Sequence, residues 1–146
     1  MSLGSRRKAR GLALQVLYAQ DVAAGAADDG VATYGERFEL DVDAEAREFA
    51  QVLVRAATQD VAAVDAAITT ASRNWRLERM ARVDRNILRL AVGELLHVRE
   101  TPVKVVINEA VELAQQYSTK DSGRFVNGLL SRISEHLRGT PEEASA

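Results

Sequence analysis

Read for hydrophobic spacing alone, the 146-residue chain carries the three-to-four-residue repeat of amphipathic helices along most of its length. Ala9, Ala13, Val16, Leu17 and Gln20 fall on one stripe of a first segment, about 5–24, which stops at Gly25. The acidic, Gly-rich GAADDG that follows reads as loop, and the stretch around 31–40 as a short helix or irregular chain. Helical spacing resumes behind Asp43, a predicted N-cap, through Phe49, Val52, Leu53 and Ala56. A break near Asp60 leads into Val61, Val64, Ala67 and Ile68. After Trp75 the pattern predicts a strong helix over 83–98, another from Pro102 to about Tyr117, and a last one starting at Asp121 or Ser122 and stopping at Gly139. Val103 to Ile107 is the longest β-branched run, but it continues into NEAVELAQQY, whose spacing is helical. The expectation is one all-α domain over 1–146, with helical sub-bundles over about 5–70 and 71–138 and a frayed tail over 139–146.

Composition narrows this without changing it. Ala and Leu are abundant and only Pro102 and Pro141 interrupt, as suits helix, where Ala loses no side-chain entropy. There is no Cys, so disulfides and thiol nucleophiles are excluded, and His97 and His136 alone make no zinc finger or ribbon. No metal and no cofactor is expected. The first ten residues are charged before any apolar run begins, and nothing approaches the roughly 18 apolar residues of a membrane helix. A cytoplasmic protein is therefore expected, long enough to bury a core without staples.

Charge changes the picture more. The formal total of −2 suggests no affinity for polyanions, yet its distribution is uneven. Residues 1–20 carry a local +4 from Arg6, Arg7, Lys8 and Arg10; residues 21–65 carry −8; residues 66–138 carry +4; and the tail carries −2. Two basic segments thus flank an acidic one.

Helical geometry tests whether those bases share a surface. At 100° per residue Arg7, Gly11, Leu14 and Tyr18 fall within a 60° arc beside the core stripe. Arg82, Arg85 and Arg89 fall within another, opposite Val83, Ile87 and Leu90. In the last helix Phe125 lies at the flank of the apolar face beside Arg132. Arginine with a flanking aromatic suits single-stranded RNA, because guanidinium groups pair with phosphates and unstacked bases lie on rings. The plainer reading, a solvated basic face with half-buried aromatics at its edge, is the one spacing alone favours.

Catalytic patterns are absent. No P-loop, dinucleotide fingerprint, nucleophile elbow or H-E-x-x-H occurs. Glu109 and Glu112 stand three apart on a helix and read as exposed charge. Glu94 falls inside the apolar arc of its helix, so it is expected to be buried and to bond neighbouring donors in a structural role.

Taken together, RRKARGLALQVLY (6–18), VDRNILRLAVGEL (83–95), PVKVVINEAVELAQQY (102–117) and DSGRFVNGLL (121–130) resemble the NusB family of bacterial transcription antitermination factors. The likeness runs through nearly the whole chain in order, and is weak over about 25–71. It implies an all-helical fold of about seven helices in two small bundles and a role that is not enzymatic. It also implies pairing with NusE, a small-subunit ribosomal protein, and binding of single-stranded boxA-like RNA from ribosomal RNA transcripts. The pair would act with RNA polymerase and other Nus factors.

Carried over motif by motif, the resemblance assigns Arg6, Arg7, Arg10 and Arg89 to phosphates or base edges, and Tyr18 and Phe125 to bases. Asp121 accepts from a base amine or caps the last helix. Asp84, Arg85 and Arg124 stand between an RNA role and a solvated one. The chain departs from the pattern at Gly123, where a longer side chain would have offered another contact. The side of the 83–98 helix that carries Asp84 is the candidate NusE surface, and a homodimer that hides the arginine-rich helix is an open alternative. Two other readings compete. One is an RNA-binding domain of the kind found in rRNA cytosine methyltransferases, although this chain has no Cys for that chemistry. The other is a protein-interaction module that binds no RNA.

Overall fold

Helix starts and stops follow local chemistry. The carboxylate of Asp43 accepts from the Ala46 amide at 2.8 Å, satisfying a donor that a helix start leaves unpaired. At the other end of the chain Gly139, with φ 78°, takes up the left-handed conformation that ends the last helix. The computed structural model describes residues 3–23, 42–73 and 75–139. These hold α1 (Leu3–Ala23), α2 (Ala44–Thr58), α3 (Val61–Ala71), α4 (Arg82–His97), α5 (Val103–Tyr117) and α6 (Lys120–Arg138), with a 3₁₀ turn at Leu77–Arg79 before α4. There is no strand among the described residues, as the spacing predicts. The stretch around 31–40 and the tail beyond 139 lie outside the described residues.

One boundary differs in a way that matters for the site. The last helix begins at Lys120, and its cap is the Thr119 hydroxyl, which accepts from the Ser122 amide at 3.1 Å. Asp121 is thus not the N-cap. It sits exposed in the first turn, where a carboxylate interacts favourably with the positive end of the helix dipole.

Helix α4 lies at the centre and packs against all five other helices. It can do so because its apolar positions go most of the way round: Ile87, Leu88, Leu90, Ala91, Val92 and Leu95 are all buried. Gly93 explains the closest of these contacts. A Cβ there would stand 2.7 Å from the Ala57 amide nitrogen and 2.8 Å from the Ala56 carbonyl, so only glycine lets α2 and α4 cross at this distance. Helix α1 runs antiparallel to α4, with Arg10 opposite Glu94 and Asp21 opposite Arg85 and Asn86. The buried apolar side chains form one contiguous core.

Arg138, at the end of α6, closes the opposite end of α4. Its guanidinium donates to the carbonyls of Leu95 at 2.9 Å, of Glu94 and Val98 at 3.2 Å, and of Thr101. The guanidinium shares the Glu94 and Val98 carbonyls with the Val98 and Thr101 amides, and a positive group at this end of α4 suits the negative pole of the helix dipole. Burial and the nearby charge of Arg99 lower its pKa from the usual arginine value, while Glu94 and Glu100 act in the opposite sense.

Candidate nucleic-acid interface

The four-base start of α1 divides into different environments within two turns. Arg10 is buried, at 2% exposure, and its Nε and Nη2 donate to the two carboxylate oxygens of Glu94 at 3.0 and 2.6 Å. Glu94 is therefore buried and bonded, as its place in the apolar arc predicts, and its donor is one of the arginines assigned to RNA. Arg6 is half-buried, with its guanidinium 5.3 Å from the centre of the Phe49 ring on α2; Arg10 lies 5.5 Å from the same ring. Arg7 alone of the three points outward. Its Nε donates to both oxygens of Glu109 at 3.2 Å while the side chain stays 56% exposed. Glu109 is buried, contrary to its reading as exposed surface charge, because α5 turns that face toward α1; Glu112 one turn on is exposed.

From Arg7 a trough follows α1 along its edge with α5. One hollow of about 260 Å³ is lined by Arg7, Lys8, Gly11, Gln15 and Tyr117 among others. It meets a second, of about 630 Å³, at Gln15 and Tyr117; that one continues past Tyr18 and Val22 to Val83 at the start of α4. Tyr18 and Tyr117 are exposed at 39% and 42%. Arg7 and Tyr18 of the helical-wheel arc thus reach one surface, while Leu14 between them is buried in the core, and Tyr117 adds a second ring.

The α4 arginines sit elsewhere. Arg85 donates from Nε and Nη2 to Asp21 at 2.9 and 2.6 Å, and Asn86 donates to the same oxygen at 2.9 Å. Arg89 bonds Asp65 on α3 through Nε at 2.9 Å and Nη2 at 3.1 Å, and its Nη1 lies 3.6 Å from Asp21. Arg82, nearly half exposed, approaches Asp21 at 3.8 Å. Burial would raise the Asp21 pKa, but the bonds from Arg85 and Asn86 and the charges of Arg85 and Arg89 outweigh it, so it lies below its ordinary value.

The start of α6 forms a third group. Asp84 is buried and accepts from the Ser122 hydroxyl at 2.9 Å; its other oxygen, Oδ1, is buried without a partner. Ser118 and Thr119 hydroxyls lie within 2.9 and 3.1 Å of Ser122, so the α5–α6 turn and α4 share one polar cluster. Asp121 and Arg124 are exposed. Phe125 is half-buried and meets Trp75 edge to face, with centroids 6.4 Å apart. Gly123 faces inward: a Cβ would stand 3.3 Å from Gln115 Cγ on α5, so a longer side chain there would press on α5 before reaching solvent.

The structure therefore brings Arg7 and Tyr18 to one trough, and Asp121, Arg124 and Phe125 to the α6 start beside buried Asp84. It places Arg10, Arg85 and Arg89 in helix–helix ion pairs. Reading the sequence misses Tyr117 and Trp75 as surface aromatics. Tyr117 is the last residue of α5, where a 3.6-residue repeat stops being informative, and Trp75 lies outside any regular helix. Among the described residues no helix is long and apolar enough to cross a membrane, and no group of three or more His, Cys, Asp or Glu is placed to hold a metal.

Comparison with known proteins agrees with the motif-based resemblance. Residues 7–135 match the NusB family. The transcription antitermination protein NusB of Anaeromyxobacter dehalogenans is 52% identical over 90% of this chain and 92% of its own length, and that of Sorangium cellulosum 49% identical over 92% and 95%. Among solved structures, a NusB in complex with NusE and double-stranded RNA is similar at a TM-score of 0.84, with 29% identity over 92% of this chain and 99% of that one.

Proposed function

Because the chain belongs to the NusB family, we propose that it is a non-catalytic antitermination factor which binds boxA-type RNA of ribosomal RNA transcripts together with NusE. The pair then joins RNA polymerase and the other Nus factors in the cytoplasm. The observation that carries the RNA reading is the trough between α1 and α5, where the exposed Arg7 guanidinium shares one edge with the Tyr18 and Tyr117 rings. Cations set along a groove with aromatic faces are what a single strand requires, since phosphates are neutralised and bases stack regardless of sequence. A NusB solved with NusE and double-stranded RNA supports NusE and RNA as classes of partner.

In this reading Arg7 and Arg6 meet phosphates, Tyr18 stacks, and Arg124 and Phe125 receive the strand at the start of α6. Asp121 is free to accept from a base amine because Thr119 does the capping. Arg10, Arg85 and Arg89 act by holding α1 and α3 against α4, and Asp84 by joining α4 to α6.

The test is a titration of boxA-like and scrambled RNA with and without NusE at several salt concentrations. Affinity should fall with salt as counterions are released, and NusE should widen the gap between the two RNAs. Equal, salt-independent binding of both would defeat the proposal.

A further inference from the structure

Trp75 is the chain's only tryptophan, and it stands 57% exposed on the segment that joins α3 to α4. A large ring in this position is unusual, because an indole left in water forgoes the area it would bury in a core. The local backbone is built to present it. The Trp75 amide donates to the Ser72 carbonyl at 2.9 Å and the Ser72 hydroxyl to the Trp75 carbonyl at 3.0 Å, closing a turn. Leu77, half-buried, and Met80, buried, anchor the chain just beyond it. Around those anchors Arg73, Arg76 and Arg79 are all exposed.

None of those three guanidinium groups, nor that of Arg124 beside Phe125, has an ion-pair partner among the described residues. That separates them from Arg85 and Arg89, which carboxylates neutralise. Glu78 and Asp121 are the acids in the same two stretches, so four cations face two anions. The edge of one ring against the other joins Trp75 to Phe125, which makes the patch continuous with the start of α6.

We propose that Trp75, with Arg73, Arg76 and Arg79 around it, is a further stacking position for single-stranded RNA, carrying the strand beyond Phe125. The inference rests on the RNA reading above and lengthens its path. Single-stranded RNA fits better than an acidic protein segment because the patch couples unpaired guanidinium groups to a ring left more than half exposed, the pairing by which bases and phosphates are held in alternation.

The lone tryptophan supplies its own readout. The full chain is titrated with a labelled boxA-like RNA and with the same RNA carrying eight added uridines at either end, following RNA anisotropy and Trp75 emission together. Emission should fall in step with binding of at least one extended RNA. Trp75→Ala should weaken that RNA by about 5- to 150-fold, the range for losing one base stacked on a ring, with the unextended RNA less affected. Trp75→Phe, which keeps a ring, should recover most of the loss and control for folding. Saturating RNA that leaves Trp75 emission unchanged, while Arg7→Ala still weakens binding, would overturn this proposal and leave the α1 trough standing. No binding of any RNA would remove both. Loss of NusE binding in Trp75→Ala with RNA affinity intact would overturn it in favour of a protein contact.

Discussion

Arg7 on α1 and Arg85 and Arg89 on α4 have similar surroundings in sequence: each is an arginine at helical spacing beside apolar positions, in a segment of net positive charge. In space they differ. Two acids of the −8 segment, Asp21 and Asp65, land on the α4 arginines and bind them at 2.6 to 2.9 Å, whereas Arg7 meets one carboxylate and remains more than half exposed. The acidic stretch between the two basic ones is therefore an internal counterion for one of them. An arginine count along a helix says how much charge is present; which charge a ligand can reach depends on what the neighbouring helices carry.

The contrast can be broken most severely at Arg10, the α1 arginine that behaves like those of α4. Arg10→Ala leaves Glu94 buried and uncompensated and should destabilise the fold by about 3–5 kcal/mol in urea unfolding. Replacing both partners with apolar residues, Arg10→Met with Glu94→Leu, should restore most of that, since an apolar pair carries no desolvation penalty. A double variant as unstable as the single one would mean the pair itself, and not the abandoned charge, sets the energy.

Asp21→Ala comes next. It removes the shared acceptor of Arg85 and Asn86, at about 1.5–3 kcal/mol for bonds to a charged group, while RNA affinity of the folded protein should hold or rise because α4 regains positive charge. Weaker RNA binding by a folded Asp21→Ala would place Asp21 in the interface and blur the distinction.

Arg7→Ala should act chiefly on the ligand. It strips buried Glu109 of its donor, so unfolding free energy should fall by about 1 kcal/mol, the low end for an abandoned buried acceptor because the arginine side of the pair is open to water, while the slope of log affinity against log salt should shrink by about one. An unchanged slope would remove Arg7 from the phosphate contacts.

The smallest effect is in pH. The Asp21 pKa lies below its ordinary 3.8 in the fold, so the carboxylate contributes stability above that ordinary value and loses it as pH falls through the lower, folded one. The stability gap between wild type and Asp21→Asn should be constant near neutrality and close below about pH 3.8. A gap that closes near pH 6 would point to another group.

Much of this was legible in advance where the physics is local. Asp43 caps because a carboxylate three residues before a free amide satisfies it, and Gly139 ends α6 because it adopts φ 78° without penalty. Glu94 was readable as buried because its position in the helical repeat is apolar. The misreadings are of one kind. Glu109 looks exposed by its own helix's pattern and is buried by α1; Asp121 looks like a cap until Thr119 takes that place; Gly123 looks open to a ligand and faces Gln115. Each depends on a residue of another helix or on a cap two positions earlier.

The sequence by itself determined the helices, their breaks, the absence of thiol and zinc-finger chemistry, and the family, because periodicity, caps and motif order are properties of contiguous residues. Only the tertiary structure decided which arginines are available. Packing α1 antiparallel to α4 matches Arg10 to Glu94 and Asp21 to Arg85, and the Gly93 crossing brings α2, with Phe49, against α4. Those pairings span 64 to 84 residues. Coulomb energy depends on distance through space, and no reading along the chain supplies that distance.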